Sequence, residues 1–152
     1  MRIERNGGFL IAKIHQVSGR VFAQRLKRHG IEAFSPAQGR ILFALWQGDG
    51  VSIQTLVQRT ALRKSTLTTM LDRLEQDGWI IRQPAPHDRR SILIMLTDQH
   101  RHWQAQYETI SAEMATLFYA GLTAAEIDHF ETTLAQVLQN VQQAEAQSVV
   151  AG

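Results

Sequence analysis

Lys64-Ser65-Thr66-Leu67-Thr68-Thr69-Met70-Leu71-Asp72-Arg73-Leu74-Glu75-Gln76-Asp77-Gly78-Trp79 is the stretch on which the reading of the fold turns. At about 100° per residue, Leu67, Met70, Leu71 and Leu74 share one side of a helix, while Ser65, Thr69, Asp72 and Gln76 stand opposite, flanked by Thr66 and Arg73. One face is apolar enough to bury; the other is small, hydroxyl-rich and partly basic. An outward face of this kind suits the DNA major groove, which admits a helix and offers base-edge donors and acceptors to Ser, Thr, Lys and Arg. The first turn, Lys64-Ser65-Thr66, adds unpaired backbone N–H groups and the positive end of the helix dipole, both suited to phosphate. Taken alone, the pattern is better read as an ordinary solvated helix face.

Its neighbours narrow the choice. Ser52 caps a short helix that runs to about residue 59, and Thr60-Ala61-Leu62-Arg63 turns the chain into the next one, a helix-turn-helix pattern. After Asp77-Gly78, the stretches Trp79-Ile80-Ile81-Arg82-Gln83 and Ser91-Ile92-Leu93-Ile94-Met95-Leu96 flank the loop Pro84-Ala85-Pro86-His87-Asp88-Arg89-Arg90. Both flanks are short, rich in Ile and bounded by turn residues, which predicts a β-hairpin. The loop is then a projecting basic finger. An arginine there suits the negative potential of a minor groove, and Asp88 suits an ion pair that braces it.

Outward from this centre the chain reads as helices. Leu10, Ile14, Val17 and Val21 follow a three-and-four spacing over residues 9 to about 27, and Gly30 ends that first helix. Ser35-Pro36-Ala37-Gln38 opens a second, with Ser35 and Gln38 set for a reciprocal cap and Pro36 suited to the first turn; it runs to Gly48-Asp49-Gly50. Thr97 begins a fifth helix to about residue 119, Gly121 breaks it, and Thr123-Ala124-Ala125-Glu126 is a capping box opening a sixth to about residue 146, with a tail expected to fray. The expected architecture is mainly α with a small β-hairpin wing. It is a winged helix-turn-helix at 35–96 between N-terminal (1–34) and C-terminal (97–152) dimerisation helices, in one compact chain.

Charge is unevenly spread. All 16 Lys and Arg and 8 of the 14 acidic residues fall in 1–101, a net +8, whereas 102–152 has 6 acids and no Lys or Arg, a net −6. That asymmetry points to a basic surface for a polyanion joined to an acidic segment with another job. With no cysteine, a disulfide scaffold, a thiolate metal site, a cysteine nucleophile and a thiol redox switch are excluded. The longest apolar run, Ile41 to Trp46, is far below the roughly 18 residues that cross a bilayer, and no apolar leader precedes Phe9, so the expectation is a cytoplasmic chain without a membrane partner. Gly-x-Ser-x-Gly, phosphate-loop and His-Glu-x-x-His motifs are absent, so no catalytic residue is expected.

The stretch from Lys64 to Trp79, the Asp-x-Arg motif at Asp88-Arg89-Arg90 and the closing Leu96-Thr97 resemble the MarR family of bacterial winged-helix regulators, and the resemblance covers essentially the whole chain. It implies a homodimer on a pseudo-palindromic double-stranded DNA operator, usually a repressor and often released by a small aromatic or phenolic effector. By position it makes the helix starting near Lys64, itself a DNA-binding candidate, the recognition helix, with Ser65, Thr66, Thr69 and Arg73 as candidate groove contacts. Arg90 matches the wing arginine, Asp88 its bracing carboxylate, and Arg89 is an added cation. Arg59 and Arg63 match phosphate contacts, which position a protein without reading sequence. Without cysteine, the thiol-based peroxide-sensing branch is excluded.

Ile127, Phe130, Leu134, Val137 and Val141 repeat at three- and four-residue steps, and with Leu10, Ile14 and Val17 they are the expected dimer seam. A second copy covering these faces sets two recognition helices roughly 34 Å apart, one turn of DNA. Packing onto the chain's own core is the alternative. His15, Phe22, Phe43, Trp46 and Trp79 are candidates to line an effector pocket, although each also suits an ordinary core. No cofactor is expected. Two rival readings are a zinc-responsive regulator of the same fold, for which His100 and His102 are poorly spaced on a helix, and a sequence-independent architectural DNA binder.

Overall fold

The computed structural model describes residues 5–151. The order of elements is α1 (Gly7–Arg28), α2 (Pro36–Trp46), β1 (Val51–Ser52), α3 (Ile53–Thr60), α4 (Lys64–Gln76), β2 (Ile80–Ala85), β3 (Asp88–Leu96), the 3-10 turn η1 (Asp98–His100), α5 (Arg101–Phe118) and α6 (Ala124–Ala151). Helices therefore dominate, and the sheet is small. The chain divides between Ala112 and Glu113, within α5, into two compact units.

In the first unit the caps act as their residue types dictate. Gln38 N–H donates to Ser35 Oγ at 3.2 Å, and Ser35 N–H donates back to Gln38 Oε1 at 2.9 Å, so two otherwise orphaned donors at the start of α2 are satisfied together. Ser52 Oγ accepts from Thr55 N–H at 3.2 Å and starts α3. Ala61, at φ 58°, takes the left-handed conformation that ends α3, and a turn of three residues leads into α4. Leu56 of α3, Leu67, Leu71 and Leu74 of α4, and Ile41, Leu42 and Leu45 of α2 are fully buried. Trp79 closes this core edge-to-face on Phe34, with ring centroids 5.4 Å apart.

The sheet has three strands in the order β1-β3-β2, all antiparallel. β1 lies outside the expected elements, because two residues carry no alternation. It forms because Gly50, at φ 70°, turns the chain so that its N–H donates to Ile94 O at 2.8 Å, while Asp49 Oδ2 accepts Leu96 N–H at 2.8 Å. The finger is also shorter than expected. β2 runs on to Ala85 and β3 starts at Asp88, leaving Pro86-His87 as the turn, with an irregular step between Pro84 and Ala85. β2 is an edge strand, so the missing N–H of Pro84 is tolerated there, and Pro86 presets the turn. Leu96-Thr97 closes the hairpin as anticipated: Thr97 N–H donates to Trp79 O at 3.0 Å and its hydroxyl donates to the same carbonyl at 3.1 Å.

α5 starts later than expected, at Arg101, because η1 occupies residues 98–100. In the second unit, Glu126 N–H donates to Thr123 Oγ1 at 3.1 Å and Thr123 N–H to Glu126 Oε1 at 3.3 Å, the anticipated capping box. α6 continues to Ala151, past the expected end near 146. Phe118, Tyr119 and Phe130 cluster within this unit, and Tyr119 hydroxyl donates to Glu131 Oε1 at 2.6 Å. That bond raises the Tyr119 pKa.

Candidate nucleic-acid interface

The site is built on α4. With Leu67, Leu71 and Leu74 buried, the opposite side must face outward, and Lys64, Ser65, Thr66, Thr69 and Arg73 are all exposed. Thr68 and Thr69 hydroxyls donate back to the carbonyls of Lys64 and Ser65, at 2.8 and 3.1 Å, so each keeps acceptor capacity and a methyl for an incoming partner. No side chain caps the start of α4, unlike α2 and α3, and its first N–H groups remain available. Arg63, extended at φ −66° and ψ 145°, stands exposed at that opening. Arg73 lies 3.6 Å from Asp77 on the exposed surface.

Arg89 and Arg90 are exposed at the start of strand β3 rather than in a loop. Asp88 braces them through the backbone: its Oδ1 accepts Arg90 N–H at 3.0 Å and its Oδ2 accepts the Ser91 hydroxyl at 3.4 Å. In place of the expected ion pair to the arginine side chain, the carboxylate accepts a hydrogen bond from the Arg90 backbone N–H. Because the carboxylate holds the main chain, the Arg90 guanidinium is left to reach outward.

Arg59 has other partners than the phosphate expected of it. One guanidinium nitrogen donates to Ala44 O at 3.0 Å and Gly48 O at 2.6 Å, which satisfies carbonyls at the end of α2. Arg82, which the sequence reading passed over as a strand residue, makes the densest ionic contacts near α4. It lies 2.9 Å from Asp72 Oδ1 and 3.1 Å from Glu75 Oε1, and its N–H donates to Glu75 Oε2 at 3.2 Å. Acids at 72 and 75 followed by a cation in the next strand were the only hint.

A cavity of about 370 Å³ lies in the first unit, lined by Arg40, Phe43 and Gln47 of α2, Arg59 and Thr60 of α3, Met70 of α4, and Tyr107 and Ser111 of α5, among others. Of the five residues expected to line a pocket, Phe43 does so. Trp79 belongs to the core and His15 is exposed on α1, while Phe22 packs edge-on against Tyr107 at 5.5 Å. Trp46 instead borders a second, polar recess with His100 and Asp49. Burial pushes the Tyr107 pKa up to about 12, with Arg40 opposing, so its hydroxyl stays protonated at neutral pH. Tyr107 was missed because its aromatic neighbours come from α1, α2 and the loop holding Phe34. It also explains Gly39: a Cβ there would lie 2.7 Å from Tyr107 Cε2.

Trp46 Nε1–H donates to His100 Nδ1 at 2.9 Å, which needs a neutral imidazole at that nitrogen. Burial first, and Arg101 second, lower the His100 pKa, against weaker opposition from Asp49 and Asp98. Protonation is then taken up by the unfolded chain before the folded one, so this contribution to stability is whole above about pH 6.5 and is lost as pH falls through the lower folded value. Thermal midpoints at pH 7 and pH 5 should differ less in His100→Gln than in the parent chain; an equal drop would contradict this assignment. Among the described residues no group of three or more His, Asp or Glu side chains is placed to hold a metal ion, and the zinc reading is not favoured. No helix among them is long and apolar enough to cross a membrane.

Residues 34–92 match the MarR family model, the span that holds the helix-turn-helix and most of the wing. Over that span the chain is similar to the MarR family. It is 28% identical over 102 residues to the HTH-type regulator YkoM of Bacillus subtilis, covering 67% of this chain and 64% of that protein. It is 49% identical over 49 residues to the HTH-type regulator PecS of Dickeya dadantii, 32% of this chain and 30% of that one. The chain thus spans less than two thirds of the length of these relatives. A crystal structure of a mutant MarR from Escherichia coli complexed with operator DNA is similar at a TM-score of 0.74 and 27% identity, over 86% of this chain and 92% of that one. The MarR winged-helix fold therefore extends beyond the segment matched by the family model.

Proposed function

We propose that this chain is a MarR-family, sequence-specific double-stranded DNA-binding transcriptional regulator, acting as a homodimer on a pseudo-palindromic operator in the cytoplasm, as a repressor rather than an enzyme. The observation that carries the reading is the presentation, on one buried scaffold, of an exposed hydroxyl-rich α4 face and an exposed arginine pair at the wing. The operator complex of the E. coli relative supports it.

Dimerisation is supported by apolar side chains left uncovered in each unit. On α1, Leu10, Ile14 and Val17 are 52%, 41% and 49% exposed; on α6, Val137 and Val141 are 40% and 59% exposed. Water contact at such stripes is costly, and a second copy relieves it. The cavity beside Met70 supports an effector-responsive regulator, because it combines aromatic walls with the Tyr107 hydroxyl and Arg40, which suit a small aromatic or phenolic anion.

Sequencing the DNA that the purified protein retains from a genomic pool tests the reading. Recovery of one recurrent palindrome, bound roughly a thousandfold more tightly than random duplex at the same salt, is the expected result. Equal binding to all duplexes would instead mark an architectural binder.

A further inference from the structure

The geometry points to Arg82 as a positioning residue that sets the wing arginines relative to the recognition helix, so that both reach one DNA site together. The inference rests on the DNA-binding reading and adds to it a residue that touches no DNA. Thr68, Asp72 and Glu75 occur at steps of four and three, one stripe along α4 between its buried leucines and its exposed Ser65 and Thr69. Arg82 engages all three. One guanidinium nitrogen lies 2.9 Å from Asp72 Oδ1 and 3.5 Å from Thr68 O, and the other lies 3.1 Å from Glu75 Oε1. Its backbone N–H donates to Glu75 Oε2, so one carboxylate bridges the side chain and the main chain of the same residue.

The arrangement ties β2 to α4 at a fixed height. The Arg82 side chain is only 20% exposed, against 60% for Asp72, so the pair is shielded more than an ordinary surface ion pair. β2 carries the wing, and in the register Arg82 pairs with Ile94, a fully buried residue of β3. A shift of Arg82 along α4 therefore carries the whole hairpin, Arg89 and Arg90 included. A fork of planar donors is needed to hold two carboxylates and a carbonyl at once, a geometry an ammonium group does not reproduce. The same contacts neutralise two acids that border the groove-facing stripe.

The test measures affinities for the palindromic duplex retained by the protein and for a random duplex of equal length, by fluorescence anisotropy at several salt concentrations. Arg82→Gln should weaken palindrome binding at least tenfold while changing random-duplex binding less than about threefold, because phosphate attraction needs no register. Arg82→Lys should restore less than half of the loss in log Kd. In an Arg90→Ala background the Arg82→Gln effect should shrink, as coupled groups demand. Equal weakening on both duplexes, or full additivity with Arg90→Ala, would overturn the inference. Asp72→Asn, which keeps Arg82 and removes a partner, gives the same split if Arg82→Gln fails to fold. A parent chain that binds no duplex selectively would sink the DNA-binding reading itself, a different outcome from a selective parent with an unchanged Arg82→Gln.

Discussion

Arg90→Ala is expected to weaken binding to the palindromic duplex by about 1–3 kcal/mol per half-site, roughly five- to a hundred-and-fiftyfold each, with circular dichroism and dimer mass unchanged. The side chain is exposed and its backbone N–H, not its guanidinium, is what Asp88 holds, so the substitution removes a reaching cation and leaves the hairpin intact. Two half-sites multiply the loss. The salt dependence of binding should also become shallower, because fewer counterions are released from the DNA. Anisotropy titration decides the matter, and unchanged affinity would remove the wing from the interface. Asp88→Ala should act in the same direction but less, since it frees the backbone at the start of β3 and keeps the cation.

The second large effect concerns α6. Replacing Leu134 and Val137 by Glu together should convert the dimer to monomers on size exclusion and lower palindrome affinity by about 10²- to 10⁴-fold, the advantage of holding two recognition helices on one particle. Val137 is already 40% exposed in the isolated chain, so a charge there costs the monomer little. In a dimer seam the same charge would be buried unpaired, which is expensive. A double variant that remains dimeric would place the seam elsewhere; one that loses helical signal as well would show that these residues serve the chain's own packing. Single-copy binding to half-site duplexes should persist in the monomer.

These two outcomes rest on features of different legibility. Each α-helix among the described residues was visible from spacing and caps, because a helix satisfies its hydrogen bonds within four residues and its signals are local. The reciprocal bonds of Ser35 with Gln38, and of Thr123 with Glu126, show that locality directly. The hairpin was visible in kind but not in extent: Pro84 and Pro86 read as loop, although an edge strand accepts the first and a tight turn the second. β1 was invisible, since its two residues owe their conformation to Ile94 and Leu93 some forty positions away.

Charged and aromatic side chains were the least predictable. Arg59 and Arg82 are alike in sequence as isolated cations, yet one satisfies α2 carbonyls and the other holds α4 carboxylates. Phe22, Phe43 and Trp46 were grouped as a pocket because aromatics gather. What gathers them is Tyr107, with centroids 5.1 to 6.1 Å from all three, and only Phe43 of the trio faces the cavity.

The amino-acid sequence by itself determined the helix-turn-helix, the existence of the wing and the exposed, hydroxyl-rich stripe of α4. Each of these follows from a period or a cap acting over a few residues. Only the tertiary structure decided which arginines are free to reach a partner and which are spent within the chain. An arginine carries its donors at the end of a long side chain, and its partner is whichever oxygen the folded backbone brings within about 3 Å, at any separation in sequence.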